Sequence, residues 1–236
     1  MKVLCSICAR GGSQGVPDKN IKELAGKPLI LHTVEQAVDA ACFDKIVVSS
    51  DSERILSVVE NSGVDYLVRR PETLATEHSA KIPVIRHLLD ASEREFATHF
   101  DVVVDLAVTT PLRSADDIRS AVTTFLDADA ANLVSATLTD QSPYFNVVEV
   151  DEKGRIVLSK PLGKPLTRRQ DAPKCFSLNG AIYIWRRDVL SEEDRLLLDD
   201  TILFELPQER SIDIDTAFDF SLVDALLFYR TYSKMR

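Results

Sequence analysis

Short β-branched runs alternate with helical patterns from Val3 to about residue 140, and this alternation restricts the fold more than any other feature of the chain. The runs lie at Val3–Ile7, Lys45–Ser49, Asp65–Val68, Val102–Leu106 and Leu133–Thr137. Helical patterns cover Pro28–Ala41, Ser52–Asn61, Ser79–Glu95 and Ser114–Asp127, the last opening on a capping-box-like Ser114-x-x-Asp117. This rhythm predicts an α/β fold with a mainly parallel, doubly wound, Rossmann-like sheet and helices on both faces. Ligands of such sheets gather outside the carboxyl ends of the strands.

The first run leads into Cys8-Ala9-Arg10-Gly11-Gly12-Ser13-Gln14-Gly15-Val16-Pro17-Asp18-Lys19-Asn20, at one of those carboxyl ends. Such a loop can turn backbone N–H groups inward to cradle a polyphosphate, with Arg10 and Lys19 neutralising it from either end. The spacing is neither G-x-x-x-x-G-K-[ST] nor G-x-G-x-x-G, so P-loop and dinucleotide signatures are both absent. Ser49-Ser50-Asp51 supplies an acid near where a dinucleotide site needs one, but the glycine pattern fails.

Composition narrows the partners. A net charge of −9 over 236 residues argues against nucleic-acid binding and makes the cationic loop stand out as a local anion site. No apolar stretch is long enough for a membrane span, and the start of the chain lacks a signal-peptide pattern. The expectation is a cytoplasmic protein of one domain spanning 1–236. Cys5 and Cys8 form C-x-x-C, but Cys5 lies inside an apolar strand and no second pair follows, so the thiols read as buried and structural. Histidines 32, 78, 87 and 99 show no metal spacing.

Asp213 and Asp215 sit in Ser211-Ile212-Asp213-Ile214-Asp215-Thr216. Alternation along a strand puts both carboxylates on one face, about 7 Å apart. Beside a polyphosphate they can share Mg²⁺, or Mn²⁺ in its place, with phosphate and water completing the shell; the alternative is a surface strand end with Asp215 or Thr216 capping the last helix. Asp105 is a third candidate carboxylate, with buried pairing as its alternative role.

The rhythm breaks over Asp140–Pro173, which holds four of the chain's 10 prolines and a strand-like pair, Phe145–Val150 and Arg155–Leu158. It reads as an inserted lid or subunit-contact arm. Arg168-Arg169-Gln170, Lys160, Lys164 and Lys174 make this region basic. Ala181–Trp185 then returns as a core strand, and a last helix runs from Thr216-x-x-Asp219 to about Tyr229. No nucleophile–base arrangement stands out. A phosphate loop, two carboxylates and scattered cations favour direct displacement at phosphorus.

The opening block resembles that of the CMP-sialic acid synthetases, or acylneuraminate cytidylyltransferases. The likeness continues through Val48-Ser49-Ser50-Asp51, Arg70-Pro71, Leu74-Ala75, Thr110-Pro111-Leu112-Arg113, Arg169-Gln170, Asn179-Gly180-Ala181-Ile182-Tyr183 and Ser211–Thr216. It implies Mg²⁺-dependent transfer of CMP from CTP to the anomeric hydroxyl of a nonulosonic acid by a homodimer, with 140–173 as the dimerisation arm. Carried over by position, Ala9, Arg10, Gly12, Ser13, Lys19, Asn20 and Arg70 hold the nucleotide. Arg10, Lys19, Asp213 and Asp215 are the catalytic group, the two aspartates holding the metal. Ala107, Phe145, Arg169, Gln170, Asn179 and Tyr183 surround the acceptor.

Three departures stand out. Gln14 occupies a position where many family members carry lysine, which shifts phosphate binding toward Lys19. Sialic acid-using relatives place glutamine where Ala107 aligns and lysine where Phe145 aligns. Apolar groups there suit the methyl terminus of legionaminic or pseudaminic acid better than a hydroxylated one. Ala80–Val84, Ser142–Asn146 and Ala172–Cys175 also resemble the CMP-legionaminic acid synthetases, so a legionaminic-type acceptor is expected. The alternatives are cytidylyl transfer to 3-deoxy-manno-octulosonate and a non-catalytic nucleotide-sugar-binding protein.

Overall fold

The computed structural model describes residues 1–13, 15–77, 79–164 and 166–234; Gln14 and His78 lie outside the described residues. Five strands of the central sheet are β1 (Val3–Cys8), β4 (Lys45–Ser50), β5 (Tyr66–Arg69), β6 (Val102–Leu106) and β7 (Asn132–Leu138). These match the five β-branched runs to within a residue or two. Two further strands, β10 (Phe176–Arg186) and β11 (Ile202–Glu205), complete the order β11-β7-β10-β6-β1-β4-β5. Every pairing is parallel except those of β10, which runs antiparallel to both β6 and β7. The expected mainly parallel, Rossmann-like sheet is therefore present.

Small ladders lie outside it: β2 (Glu23–Leu24) with β3 (Lys27–Pro28), and β8 (Val148–Val150) with β9 (Ile156–Leu158). The helices are α1 (Leu29–Ala40), α2 (Glu53–Val59), α3 (Lys81–Glu95), α4 (Ala115–Asp127), α5 (Arg187–Glu192) and α6 (Ala217–Lys234). The last continues beyond the expected end near Tyr229. At α4 the Ser114 side chain accepts from the Asp117 N–H while Asp117 accepts from the Ser114 N–H, a complete capping box.

Alternating strand residues feed two apolar layers. Cys5, Ile7, Val48, Val104 and Leu106 pack beneath residues of α1, α2, α4 and α6. Leu4, Val47, Val103, Tyr183 and Trp185 pack beneath α3 and α5. Both faces are thus covered, as strands buried on both sides require. The crossover from β5 through α3 to β6 brings β6 to the far side of β1 from β4. Strand order therefore reverses at β1, and a crevice opens at the carboxyl ends of β1 and β6. Among the described residues no helix is long and apolar enough to cross a membrane.

Candidate active site

A cleft of about 520 Å³ occupies that crevice. Arg10, Ser13, Lys19 and Asn20 line one side, Ala107, Asn179 and Tyr183 the other, and Asp213 closes it from the C-terminal part of the chain. Residues spread over the whole sequence thus meet at one strand-end crevice.

The glycine-rich loop leans on β4. Ala9 N–H donates to the Ser49 carbonyl at 3.0 Å, and Gly11 N–H donates to Asp51 Oδ1 at 2.9 Å. Ser13 N–H donates to the Gly11 carbonyl at 3.1 Å. These three amides are engaged within the protein, so a backbone cradle for phosphate would fall to other N–H groups of the loop. Asp51 thereby has a role as the loop's anchor. The loop's capacity for anions resides mainly in its side chains, Arg10, Ser13 and Lys19. Asn20 is buried and donates to the Arg10 carbonyl at 2.8 Å, fixing the backbone from which Arg10 projects.

Lys19 joins this loop to the aspartate segment. Its ammonium donates to the Ile214 carbonyl and lies 3.7 Å from Asp215 Oδ1. Gly15 makes the second junction: a Cβ there would fall 2.0 Å from the Asp215 carbonyl oxygen, so only glycine fits without displacing one segment.

Residues 211–216 form no strand. The alternation is nonetheless real, with Ile214 buried and Asp213 and Asp215 exposed on the side of Lys19. The backbone is held by isolated bonds rather than a ladder: Ile214 N–H donates to the Thr109 carbonyl at 2.8 Å and Lys19 takes the Ile214 carbonyl. Ahead of it, Arg210 makes a two-pronged contact with Asp117, 2.8 and 3.0 Å, tying the segment to the start of α4. Although Asp213 is open to solvent on one side, the cleft walls desolvate its carboxyl and push it above the ordinary aspartate range, and the nearby Asp215 charge adds to this against a hydrogen bond from Thr109.

Asp105 resolves in favour of pairing. It is 1% exposed, with Lys81 Nζ at 2.8 Å and the Ser6 hydroxyl at 3.1 Å. Lys81 lines the cleft and was not singled out from the sequence as a site residue. A buried aspartate in an otherwise apolar strand calls for a cation, which was the available signal.

Arg113, from the Thr-Pro-Leu-Arg block, is a strut. Its Nη1 donates to the Ala107 carbonyl at 2.6 Å and to Thr110 Oγ1 at 2.8 Å, shaping the turn that carries Ala107 into the cleft. Asn179 lines the cleft with its amide engaged at both ends, the oxygen accepting from Ser135 and Ala181 and the nitrogen donating to Ser211. The following Gly180 has φ +64°, in a β10 bulge where left-handed backbone favours glycine.

The remaining expected positions lie elsewhere on the chain. Arg70 is buried behind the loop, donating to the Ser49 carbonyl at 3.0 Å. Ala9 is buried, and Gly12 faces open space. Arg169 and Gln170 line a second cavity of about 490 Å³ with Leu138, Ser142, Lys174 and Cys175, and Arg169 pairs with Asp140. Phe145 is exposed on the arm. One chain therefore unites the nucleotide positions Arg10, Ser13, Lys19 and Asn20 with Ala107, Asn179, Tyr183 and Asp213, and leaves the arm positions apart.

All four cysteines are free, and burial pushes the Cys8 thiol up to about 11, so it is no thiolate nucleophile at neutral pH. His32 is buried against the Leu24 carbonyl at 2.8 Å, and burial lowers its pKa. No cluster of three or more His, Cys, Asp or Glu side chains suited to a metal occurs among the described residues. Asp213 and Asp215 would still suit Mg²⁺ if a polyphosphate bound beside them, since that ion takes much of its shell from phosphate and water.

Comparison with known proteins agrees with this geometry. The cytidylyltransferase family pattern matches residues 4–211. The chain is 39% identical over 226 residues to a post-translational flagellin modification protein B of Campylobacter coli, covering 96% of this chain and 95% of that one. It is 39% identical over 232 residues to a CMP-N,N'-diacetyllegionaminic acid synthase of Campylobacter jejuni, covering 98% and 97%. Among solved structures, CMP:2-keto-3-deoxy-manno-octonic acid synthetase in complex with CTP superposes with a TM-score of 0.72 at 20% identity, covering 98% of this chain and all of that one, a likeness of fold. From the strand-end crevice, the residues that line it and these relatives together, the chain belongs to the cytidylyltransferase family.

Proposed function

We propose that this protein transfers CMP from CTP to the anomeric hydroxyl of a nonulosonic acid, with a legionaminic-type acid as the preferred acceptor. The observation that carries the reading is the meeting of Arg10, Lys19 and Asp213 in one crevice, on a chain 39% identical over nearly its full length to a legionaminic acid-activating relative. The octulosonate reading has only the 20%-identical neighbour, which speaks to fold alone.

In this mechanism Arg10, Ser13 and Lys19 hold the triphosphate. The anomeric oxygen forms a bond to the α-phosphorus, and the bond from that phosphorus to the α–β bridging oxygen breaks. Pyrophosphate leaves, and the hydroxyl proton passes to solvent. Asp213 and Asp215 would hold Mg²⁺ or Mn²⁺, which when bound neutralises charge on the reacting phosphates. Arg10 and Lys19 add fixed positive charge on the side of the leaving group. Ala107 leaves an apolar wall beside Tyr183, suited to a methyl-terminated acceptor.

Homodimer formation through residues 140–173 is part of this reading, as is a cytoplasmic location, which the four free thiols suit. Val148, Val150, Ile156, Val157 and Leu162 are exposed on the arm, an apolar surface that a second copy would cover. A partner's arm would then bring Phe145, Arg169 and Gln170 toward the acceptor side of the cleft.

The test is pyrophosphate release from CTP with sialic, legionaminic and pseudaminic acids, each with Mg²⁺, with Mn²⁺ and with a chelator. Release is expected to need metal and acceptor together and to be fastest with legionaminic acid. Preference for sialic acid would overturn the argument from Ala107 and Phe145, and turnover with octulosonate alone would overturn the acceptor class.

A further inference from the structure

Lys81, the first residue of α3, lines the cleft. Its ammonium lies 2.8 Å from Asp105 Oδ2 and 4.7 Å from the centroid of the Tyr183 ring. Asp105 and Tyr183 are register partners on β6 and β10, so one rung of the sheet holds the cation from two sides. Asp105 is turned inward, with its other oxygen on the Ser6 hydroxyl, whereas the Lys81 side chain is 40% exposed. An ammonium has three N–H donors, and Asp105 takes one. The ring contact adds a cation–π attraction. Burial pulls the Lys81 pKa down, but the Asp105 charge and hydrogen bond more than offset this, so Lys81 remains charged throughout the neutral range.

The position separates Lys81 from the other cations of the cleft. The loop bearing Arg10 and Lys19 is backed by β4, on one side of β1, through Ser49 and Asp51. Lys81 stands over β6 and β10, on the other side of β1. Lys19 is already engaged with Ile214 and Asp215. Two anions must enter this cleft if the proposed reaction holds, a triphosphate and a sugar acid whose carboxylate adjoins its anomeric carbon.

We infer that Lys81 receives the carboxylate of the acceptor, and that Asp105 and Tyr183 are positioning residues that fix its ammonium. This rests on the acceptor class proposed above. Because the carboxylate neighbours the reacting carbon, holding it would also aim the anomeric oxygen at the α-phosphorus.

The test compares a nonulosonic acid with its methyl ester as acceptor. Wild type is expected to favour the acid by about 10–100-fold in kcat/KM, as for a charged hydrogen bond. In Lys81→Met that preference disappears and KM for the acid rises by a similar factor, while CTP affinity measured by calorimetry changes less than about twofold. Lys81→Met strands the buried Asp105, so two further variants are measured. Lys81→Gln keeps a donor to Asp105, and Lys81→Met/Asp105→Asn removes both charges. Normal CTP binding in either, with the acid-over-ester preference intact, overturns the inference. So does a rise confined to the KM of CTP. Absence of wild-type turnover with any nonulosonic acid would instead defeat the proposed function itself.

Discussion

The loop from Ala9 to Asn20 and the arm from residue 140 to 173 both carry site residues named from the sequence, yet their settings are opposite. The loop is tied on every side, to β4 through Ser49 and Asp51, to itself through Asn20, and to the aspartate segment through Lys19 and Gly15. The arm carries a separate two-stranded ladder with its apolar side chains in solvent. A site that places charge around a reacting phosphate works best when its groups are fixed in advance, because reorganisation at the moment of reaction adds to the barrier. An acceptor-side arm has a different requirement, since something must cover its apolar surface. Under the proposed function, one chain would prepare the nucleotide half alone and a second copy would finish the acceptor half.

The largest effect should come from the residue on which the fixed half converges. Asp213→Asn is expected to lower turnover by about 10³-fold or more, within or beyond the range for a lost electrostatic group. The same change should raise the melting temperature of the metal-free protein. The Asp213 pKa is raised in the folded state, chiefly by desolvation against the cleft walls, so folding favours its protonated form. Its ionisation therefore costs stability at neutral pH, and that cost disappears as pH falls through the raised pKa. Calorimetric melting of wild type and Asp213→Asn from pH 7 down to pH 4 should show the gap between them closing. A constant gap would mean that the carboxylate is not under this strain.

How much of this could be read beforehand differs between the two regions for physical reasons. The parallel strands, α4 and its Ser114–Asp117 box were legible because local patterns determine them. The convergence of Arg10 and Asp213 on one cleft was legible only as a resemblance, since residues so far apart in the chain leave no local trace of their meeting. The aspartate segment looked like a strand because its burial alternates. What denies it a ladder is the capture of its backbone by Lys19 and Thr109, which no short-range pattern encodes. The loop's N–H groups looked available because the acceptors that engage some of them, Asp51 and the Ser49 carbonyl, lie on another strand. Lys81 escaped notice for the same reason, its partners Asp105 and Tyr183 being supplied by β6 and β10. The short α5 went unread because its 6 residues do not establish a helical period.

A smaller effect should follow from loosening the fixed half without removing a charge. Gly15→Ala forces the loop away from the Asp215 carbonyl. Turnover should fall about 10²-fold, as displacement of reacting groups by about 1 Å commonly does. The thermal stability lost should be modest, because Gly15 itself is exposed. Near-normal turnover would mean that the junction between Gly15 and Asp215 does not set the geometry of the cleft.

The smallest effect on chemistry should come from the arm, and it would separate the two halves most cleanly. Val150→Asp with Ile156→Asp places two charges on the exposed apolar face of the hairpin. If a second copy covers that face, burying unpaired charges would dissociate the pair, and sedimentation should show a shift from dimer to monomer. CTP affinity should be unchanged, because no arm residue lines the nucleotide side of the cleft. The KM for the acceptor should rise about 10-fold, the scale of one lost polar contact to a charged substrate. A monomeric variant with normal acceptor KM would show that each chain completes its own acceptor site, and the contrast between loop and arm would then concern assembly alone. A variant that weakens CTP binding would break the comparison from the other side, because the nucleotide half would no longer be self-sufficient.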